Sequence, residues 1–193
     1  MVMDSGNINA HYGRPGLGDL ILDGLRAAGK DPDRIAPEDL APVDQFHICG
    51  TAATLELAGR AGVEAGQQVL DVGGGLGGAA RTLAAELGCQ VTVLDLTEEY
   101  CQVGAMLTVR TGLQDRVRFQ HGSALDMPFA DASFDVVWTQ HSAMNIAAKE
   151  QLYAESYRVL RPGGRLAMHE IVAGPVQPIH FPVPWAPDAA LSF

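Results

Sequence analysis

"VLDVGGGLGGAAR", residues 69–81, holds an apolar run that closes on Asp71 and then five glycines in the six positions from Gly73 to Gly78. Glycine weakens strands and helices alike, so a cluster of this kind serves a backbone shape or the close approach of a ligand. A strand that runs into glycines and then into a helix is the nucleotide-binding turn of an α/β sheet. Two spacings overlap in it. Gly73, Gly75 and Gly78 satisfy GxGxxG, with Asp95 about 20 residues on, where a ribose hydroxyl is read. Asp71, Gly73, Gly75 and Gly77 satisfy DxGxGxG. The turn alone leaves the ligand open.

Outward from the turn, short apolar runs alternate with helical patterns. The sequence predicts strands at "QVLDV" (68–72), "QVTVLDL" (90–96), "RVRFQHG" (116–122), "FDVVWTQ" (134–140) and "GRLAMHEIV" (164–172). Helices are predicted over 77–87, 98–111 and 149–160. This alternation predicts right-handed crossovers and a doubly wound, mostly parallel, Rossmann-like α/β sheet. The two arginines of "RVRF" place that strand toward an edge. Upstream, 17–29 carries Leu17, Leu20, Ile21, Leu22 and Leu25 at helical spacing and closes on Gly29, and 51–61 is a second helix before Gly62. "KDPDRIAPEDLAP" (30–42) reads as a polar link. Residues 1–48 are therefore an N-terminal helical cap, 49–175 the core and 176–193 a proline-rich tail. Five of the chain's 11 prolines lie in the last 20 residues, which predicts an extended, irregular segment.

Composition narrows the partners. The chain has 193 residues, 47% of them hydrophobic, enough for one domain with a core. A net charge of −10 argues against nucleic acid or an anionic membrane as partner. There is no apolar run of membrane-spanning length and no basic start followed by an apolar stretch at the N-terminus. Three cysteines without a CxxC pair predict reduced thiols in a cytoplasm. No HxxxH or HxH pair sits on a predicted element, so no metal site is expected.

The blocks "VLDVGGGLGG", "VTVLDLT", "RVRFQHGSALDMPFADASFDVVW" and "RVLRPGGRLAMHE" resemble, in order and spacing, the class I S-adenosylmethionine-dependent methyltransferases. Within these the chain is similar to small-molecule enzymes related to sarcosine/dimethylglycine N-methyltransferases, sugar O-methyltransferases and quinone C-methyltransferases. The resemblance implies S-adenosylmethionine as cofactor, S-adenosylhomocysteine as product and a small-molecule acceptor methylated on oxygen or nitrogen, less readily on carbon. It places Asp71, Gly73, Gly74, Gly75 and Gly77 against the methionyl part, Asp95 on the ribose hydroxyls and Leu96 on the adenine. Ser123 and Ala124 would meet the adenine edge, and Gln45 and Gln140 would touch the cofactor. Many relatives carry an acidic residue where Ser123 stands.

Methyl transfer needs alignment and, for a hydroxyl or ammonium acceptor, removal of a proton. His141 and Glu170, at the ends of the fourth and fifth strands, are the candidate base and its partner. His169 alternates with Glu170 and should point to the opposite face. The resemblance also implies a seven-stranded sheet, order 3-2-1-4-5-7-6, of which the last two strands are missing here. The bare edge of the fifth strand predicts self-association or a tail folded along it. Two other classes are weighed. A NAD-dependent oxidoreductase is favoured by the GxGxxG overlap but lacks a Tyr-x-x-x-Lys pair. A non-catalytic cofactor-binding or assembly module is suggested by the short C-terminal part.

Overall fold

The computed structural model describes residues 16–172 together with 174, 175, 178, 180 and 181. Helices α1 (Leu17–Ala27), α2 (Pro37–Asp44) and α3 (Gly50–Ala61) precede the sheet. The order is then β1 (Gln68–Val72), α4 (Gly78–Leu87), β2 (Gln90–Asp95), α5 (Glu98–Arg110), β3 (Val117–His121), β4 (Phe134–Gln140), α6 (Lys149–Val159) and β5 (Leu160–His169). The five strands lie in the order β3-β2-β1-β4-β5 and every pairing is parallel. The doubly wound α/β class is what the alternation predicts, and the charged "RVRF" strand lies at one edge. Among the described residues β5 pairs only with β4, which leaves the other edge uncovered. The tail beyond Phe181 and residues 1–15 lie outside the described residues.

Strand periodicity sorts the core into two faces. Val69, Val91, Val93, Val117, Val136 and Trp138 pack on one side with Ala58 of α3 and Ala80, Leu83 and Ala84 of α4. Leu70, Val72, Leu94, Phe134 and Val137 pack on the other, with Leu152 and Val159 of α6. A third cluster joins Leu22 and Leu25 of α1, Leu40 of α2 and Leu107 of α5 to Leu76 of the glycine turn.

Two local readings change. The "KDPDRIAPEDLAP" link contains α2: Pro37 opens it, and Asp39 Oδ2 accepts the free Ala36 N–H (3.1 Å). Leu40, fully buried, is the anchor a composition-based reading passes over. The "RPGG" turn also interrupts a strand instead of preceding it, because Leu160 pairs with Phe134 and Arg165 with Val136, so that the intervening residues bulge out.

Helix α2 is held by a buried ion pair. Arg81 Nη2 lies 2.6 Å from Asp44 Oδ2, each side chain 1% exposed. The same nitrogen donates to the Leu76 carbonyl (2.7 Å) and Nη1 to Thr108 Oγ1 (2.9 Å). One guanidinium therefore ties the helical cap, the glycine turn and α5. Removing one member of such a pair strands a buried charge, at roughly 3–5 kcal/mol, whereas replacing both by apolar groups is far milder. Asp44→Ala should thus lower the urea midpoint sharply, and the double variant Asp44→Leu/Arg81→Met should recover most of the loss, as measured by equilibrium unfolding.

Candidate functional site

The strand order reverses between β1 and β4, and their carboxyl ends form the crevice where α/β sheets bind ligands. Leaving β1, Gly73 N–H donates to the Leu94 carbonyl (2.7 Å) with φ at 70°. A Cβ on Gly73 would stand 2.5 Å from the Ser142 side chain, whose hydroxyl donates to the Val72 carbonyl (2.7 Å). One on Gly74 would stand 2.5 Å from Asp71 Oδ2. One on Gly77 would meet the Phe119 ring at 2.6 Å, and one on Gly78 would strike the main-chain carbonyl of Asp44. Gly75 differs: a Cβ there would find nothing nearer than Tyr100 Cδ2 at 4.0 Å. A side chain would thus be uncrowded at Gly75 alone of these five, while Gly73 is exposed on its other side.

Two carboxylates flank this turn. Asp71 is 2% exposed and its Oδ2 has no hydrogen-bond partner among the described residues. Burial, and then the charge of Asp95, pushes its carboxyl up to about 7. Asp95 ends β2. Its Oδ2 accepts the Gly75 N–H (2.9 Å) and its Oδ1 the Thr97 N–H (2.8 Å). Burial raises its pKa while those two amides hold it back. Leu96 follows, half-buried, with its carbonyl 3.1 Å from His121 Nε2. Ser123 and Ala124, beyond β3, are half-buried. Ser123 Oγ accepts the Leu125 N–H (3.1 Å), which is a turn contact, and Ala124 packs on the second core face.

On the other side of the crevice, Gln45 caps α2. Its Nε2 donates to Thr82 Oγ1 (3.2 Å) and its Oε1 is buried without a partner. The Gln140 side chain is turned back into the fold: Oε1 accepts from Trp138 Nε1 and from Thr54 Oγ1, both at 3.0 Å. Its amide is therefore occupied by protein groups.

His141 follows β4 in a left-handed conformation, φ 54°. Its Nε2 is buried and unpartnered. Burial, then neighbouring His169, lowers its pKa, with Glu170 acting in the opposite direction. Glu170 does more than face the imidazole. It accepts the N–H groups of Ser142 (3.3 Å), Ala143 (3.1 Å) and Met144 (3.1 Å) and the Thr139 hydroxyl (3.0 Å). It thereby caps the one-turn helix Ala143–Asn145, and its effect on His141 is a field across that turn rather than a hydrogen bond. His169 Nδ1 lies 3.4 Å from Gln140 Nε2, on the Trp138 face of the sheet, and Glu170 accepts from Thr139 on the other, so the two alternate along the chain. The His141 and His169 ring centroids lie 4.9 Å apart, and His47 lies 6.3 and 6.1 Å from them. Sequence reasoning missed Thr54 and Ser142, because these contacts span up to 86 residues and leave no local pattern. Among the described residues no group of three or more His, Cys, Asp or Glu side chains is placed to hold a metal ion.

A family model described as a methyltransferase domain matches residues 70–168. The chain is 38% identical over 134 residues to methyltransferase GfsG of Streptomyces halstedii, covering 69% of this chain and 48% of that protein. It is 37% identical to the glycine/sarcosine/dimethylglycine N-methyltransferase of Actinopolyspora halophila, covering 68% and 23% respectively. Among solved structures, phosphoethanolamine N-methyltransferase 2 of Haemonchus contortus, in complex with S-adenosyl-L-methionine, aligns with TM-score 0.60 and 31% identity over 65% of this chain and 29% of that one. Geranyl diphosphate C-methyltransferase of Streptomyces coelicolor A3(2), with S-adenosyl-L-homocysteine, aligns with TM-score 0.57 and 26% identity over 61% and 44%. The matches span half or less of these relatives' length.

Asp71 yields a stability test. Its folded pKa near 7 lies above the ordinary 3.8, so folding takes up a proton between those values. The resulting penalty is absent below pH 3.8, grows as pH rises and reaches about 4 kcal/mol above pH 7. Asp71→Asn should therefore raise the melting temperature at pH 8, by progressively less as the pH falls toward 3.8, as read by thermal denaturation across that range.

Proposed function

Because the chain belongs to the methyltransferase-domain family, whose model covers half of it, we propose that it binds S-adenosylmethionine in this crevice and methylates an oxygen or nitrogen atom of a small molecule. The observation that carries the reading is two of the three acceptors that, among the described residues, lie buried and unsatisfied near the glycine turn, the third being Asp44 Oδ1. Asp71 Oδ2 and Gln45 Oε1 are both buried without partners, which suits the ammonium of a methionyl group. The bare main chain at Gly75 admits the ligand, and Asp95, on the adjoining strand end, keeps free lone pairs for two ribose hydroxyls. Leu96 and Ala124 supply apolar surface for a base, and Ser123 the edge contact. The residues present fit the cofactor. When bound, it supplies a sulfonium-activated methyl group whose C–S electron pair stays on sulfur as the acceptor lone pair takes the carbon.

What the chain adds is alignment and a base. His141 stands on the turn beside Gly73, and its low pKa keeps the imidazole neutral at pH 7, ready to take the acceptor's proton. Glu170 holds that turn through three amides and favours the imidazolium that forms. The three cysteines are free, which suits a cytoplasmic setting, and no helix among the described residues is long and apolar enough to cross a membrane. The uncovered β5 edge, with Leu166 and Val172 exposed, supports pairing with a second copy.

Calorimetry with S-adenosylhomocysteine and with NAD tests the reading: the first should bind and the second should not, and Asp95→Ala should weaken the first at least about tenfold, or 1.4 kcal/mol. Failure to bind the nucleoside sinks the assignment. His141→Ala should abolish turnover with little change in that affinity. For the native chain, the acid limb of kcat/KM should be centred below the usual histidine pKa near 6.5, because burial lowers that of His141 and the neutral form is the active one.

A further inference from the structure

The turn that carries Gly75 is held from two sides. On one, Asp95 Oδ2 accepts the Gly75 N–H (2.9 Å), and the turn closes through the Gly77 N–H on the Gly74 carbonyl (2.8 Å). On the other, Arg81 Nη2 donates to the Leu76 carbonyl (2.7 Å). The Leu76–Gly77 peptide is thereby fixed at both polar atoms, its oxygen by Arg81 and its nitrogen by Gly74. Packing around it is close: a Cβ on Gly77 would stand 3.3 Å from Arg81 Nη1, and one on Gly104 would stand 3.0 Å from the Leu76 oxygen. Leu76 is buried, so its carbonyl needs a protein donor. Rotating that peptide toward another donor would break the Gly74–Gly77 bond and carry Gly75 away from Asp95.

Stability alone is a poor reason for a guanidinium in this place. The Arg81 side chain is 1% exposed, and its Nε is buried without a partner among the described residues. A buried ion pair seldom stabilises a fold more than the apolar pair that could replace it. What a guanidinium adds is a planar fork that reaches several acceptors in fixed directions. Here Nη2 serves Asp44 (2.6 Å) and Leu76, while Nη1 serves Thr108 Oγ1 (2.9 Å) and the Gly104 carbonyl (3.4 Å). Helices α2 and α5 thus set where the fork stands, and the fork sets where the Leu76 carbonyl stands. We propose that Arg81 is a positioning residue for the cofactor: through the Leu76 carbonyl it fixes Gly75 against Asp95 and so keeps that carboxylate aimed at the ribose. Arg81 lies beneath the turn and acts on the nucleoside only through it. This rests on the methyl-transfer reading above and adds to it a residue that the glycine spacing does not reveal.

Hydrogen exchange read by NMR on the full chain follows the Gly75 amide, and calorimetry with S-adenosylhomocysteine follows the site. Asp44→Leu/Arg81→Met keeps the space filled and removes the fork. In it the Gly75 amide should exchange at least about tenfold faster relative to the amides of β1, and S-adenosylhomocysteine should bind about tenfold more weakly. Arg81→Lys should give the same two changes and decides the matter if the double variant does not fold, because a point ammonium matches the charge of Asp44 without the separate bonds of the fork. Thr108→Val is the control. It strips a buried acceptor from Nη1 and lowers stability but leaves the Leu76 bond, so both readouts should stay within about twofold of the native values. Unchanged Gly75 exchange or unchanged affinity in the Arg81 variants overturns the proposal. Losses as large in Thr108→Val also overturn it, since a merely less stable fold would then account for them. Failure of the native chain to bind S-adenosylhomocysteine refutes the methyltransferase reading, and Gly75 exchange separately decides whether Arg81 holds the turn.

Discussion

Space left by missing side chains holds this molecule together. Between Val72 and Ala79 the main chain is itself a packing surface: Ser142 fills the position a Cβ would take on Gly73, Asp71 that on Gly74, Phe119 that on Gly77 and the Asp44 backbone that on Gly78. Those four neighbours come from the β4–α6 link, β1, β3 and α2. A single turn therefore sets how closely four parts of the chain approach, and a side chain at any of these points would push one of them away. Gly73 is exposed and a Cβ on Gly75 would be uncrowded, so the backbone of the turn can be reached by a ligand there.

Closeness of this kind brings charge into dry places, and the structure settles each case differently. Arg81 and Asp44 neutralise one another beneath the turn. Asp95 is held by two backbone amides. Asp71 has neither solution, and its burial without a partner is a standing cost in the free protein. Such a cost persists where a ligand relieves it, which is why the orphaned oxygen weighs more in the functional reading than the glycine spacing.

The acceptor side is built by the same logic from neutral groups. Glu170 spends its charge on the amides that follow His141, and a buried indole orients a glutamine that orients a histidine. His141, whose pKa is lowered by burial, is suited to taking one proton from a hydroxyl.

The order of strands and helices, the edge position of β3 and the glycine turn were all legible in the sequence, because period and glycine content are local properties of the chain. Asp71, Asp95 and His141 could be singled out for the same reason: each ends a strand, and parallel strands end on one rim. The partners of those residues were not legible. Arg81 reaches Asp44 across 37 residues, Thr54 reaches Gln140 across 86, and His169 comes beside His141 through the register of β4 with β5. Even α2 escaped a local reading, since Leu40 counts for little until two other helices and the glycine turn bury it. Sequence by itself thus determined which elements exist and where the crevice opens, whereas the packing of distant segments decided which side chains meet in it and in what protonation state, because contact and burial are properties of register and neighbours rather than of spacing.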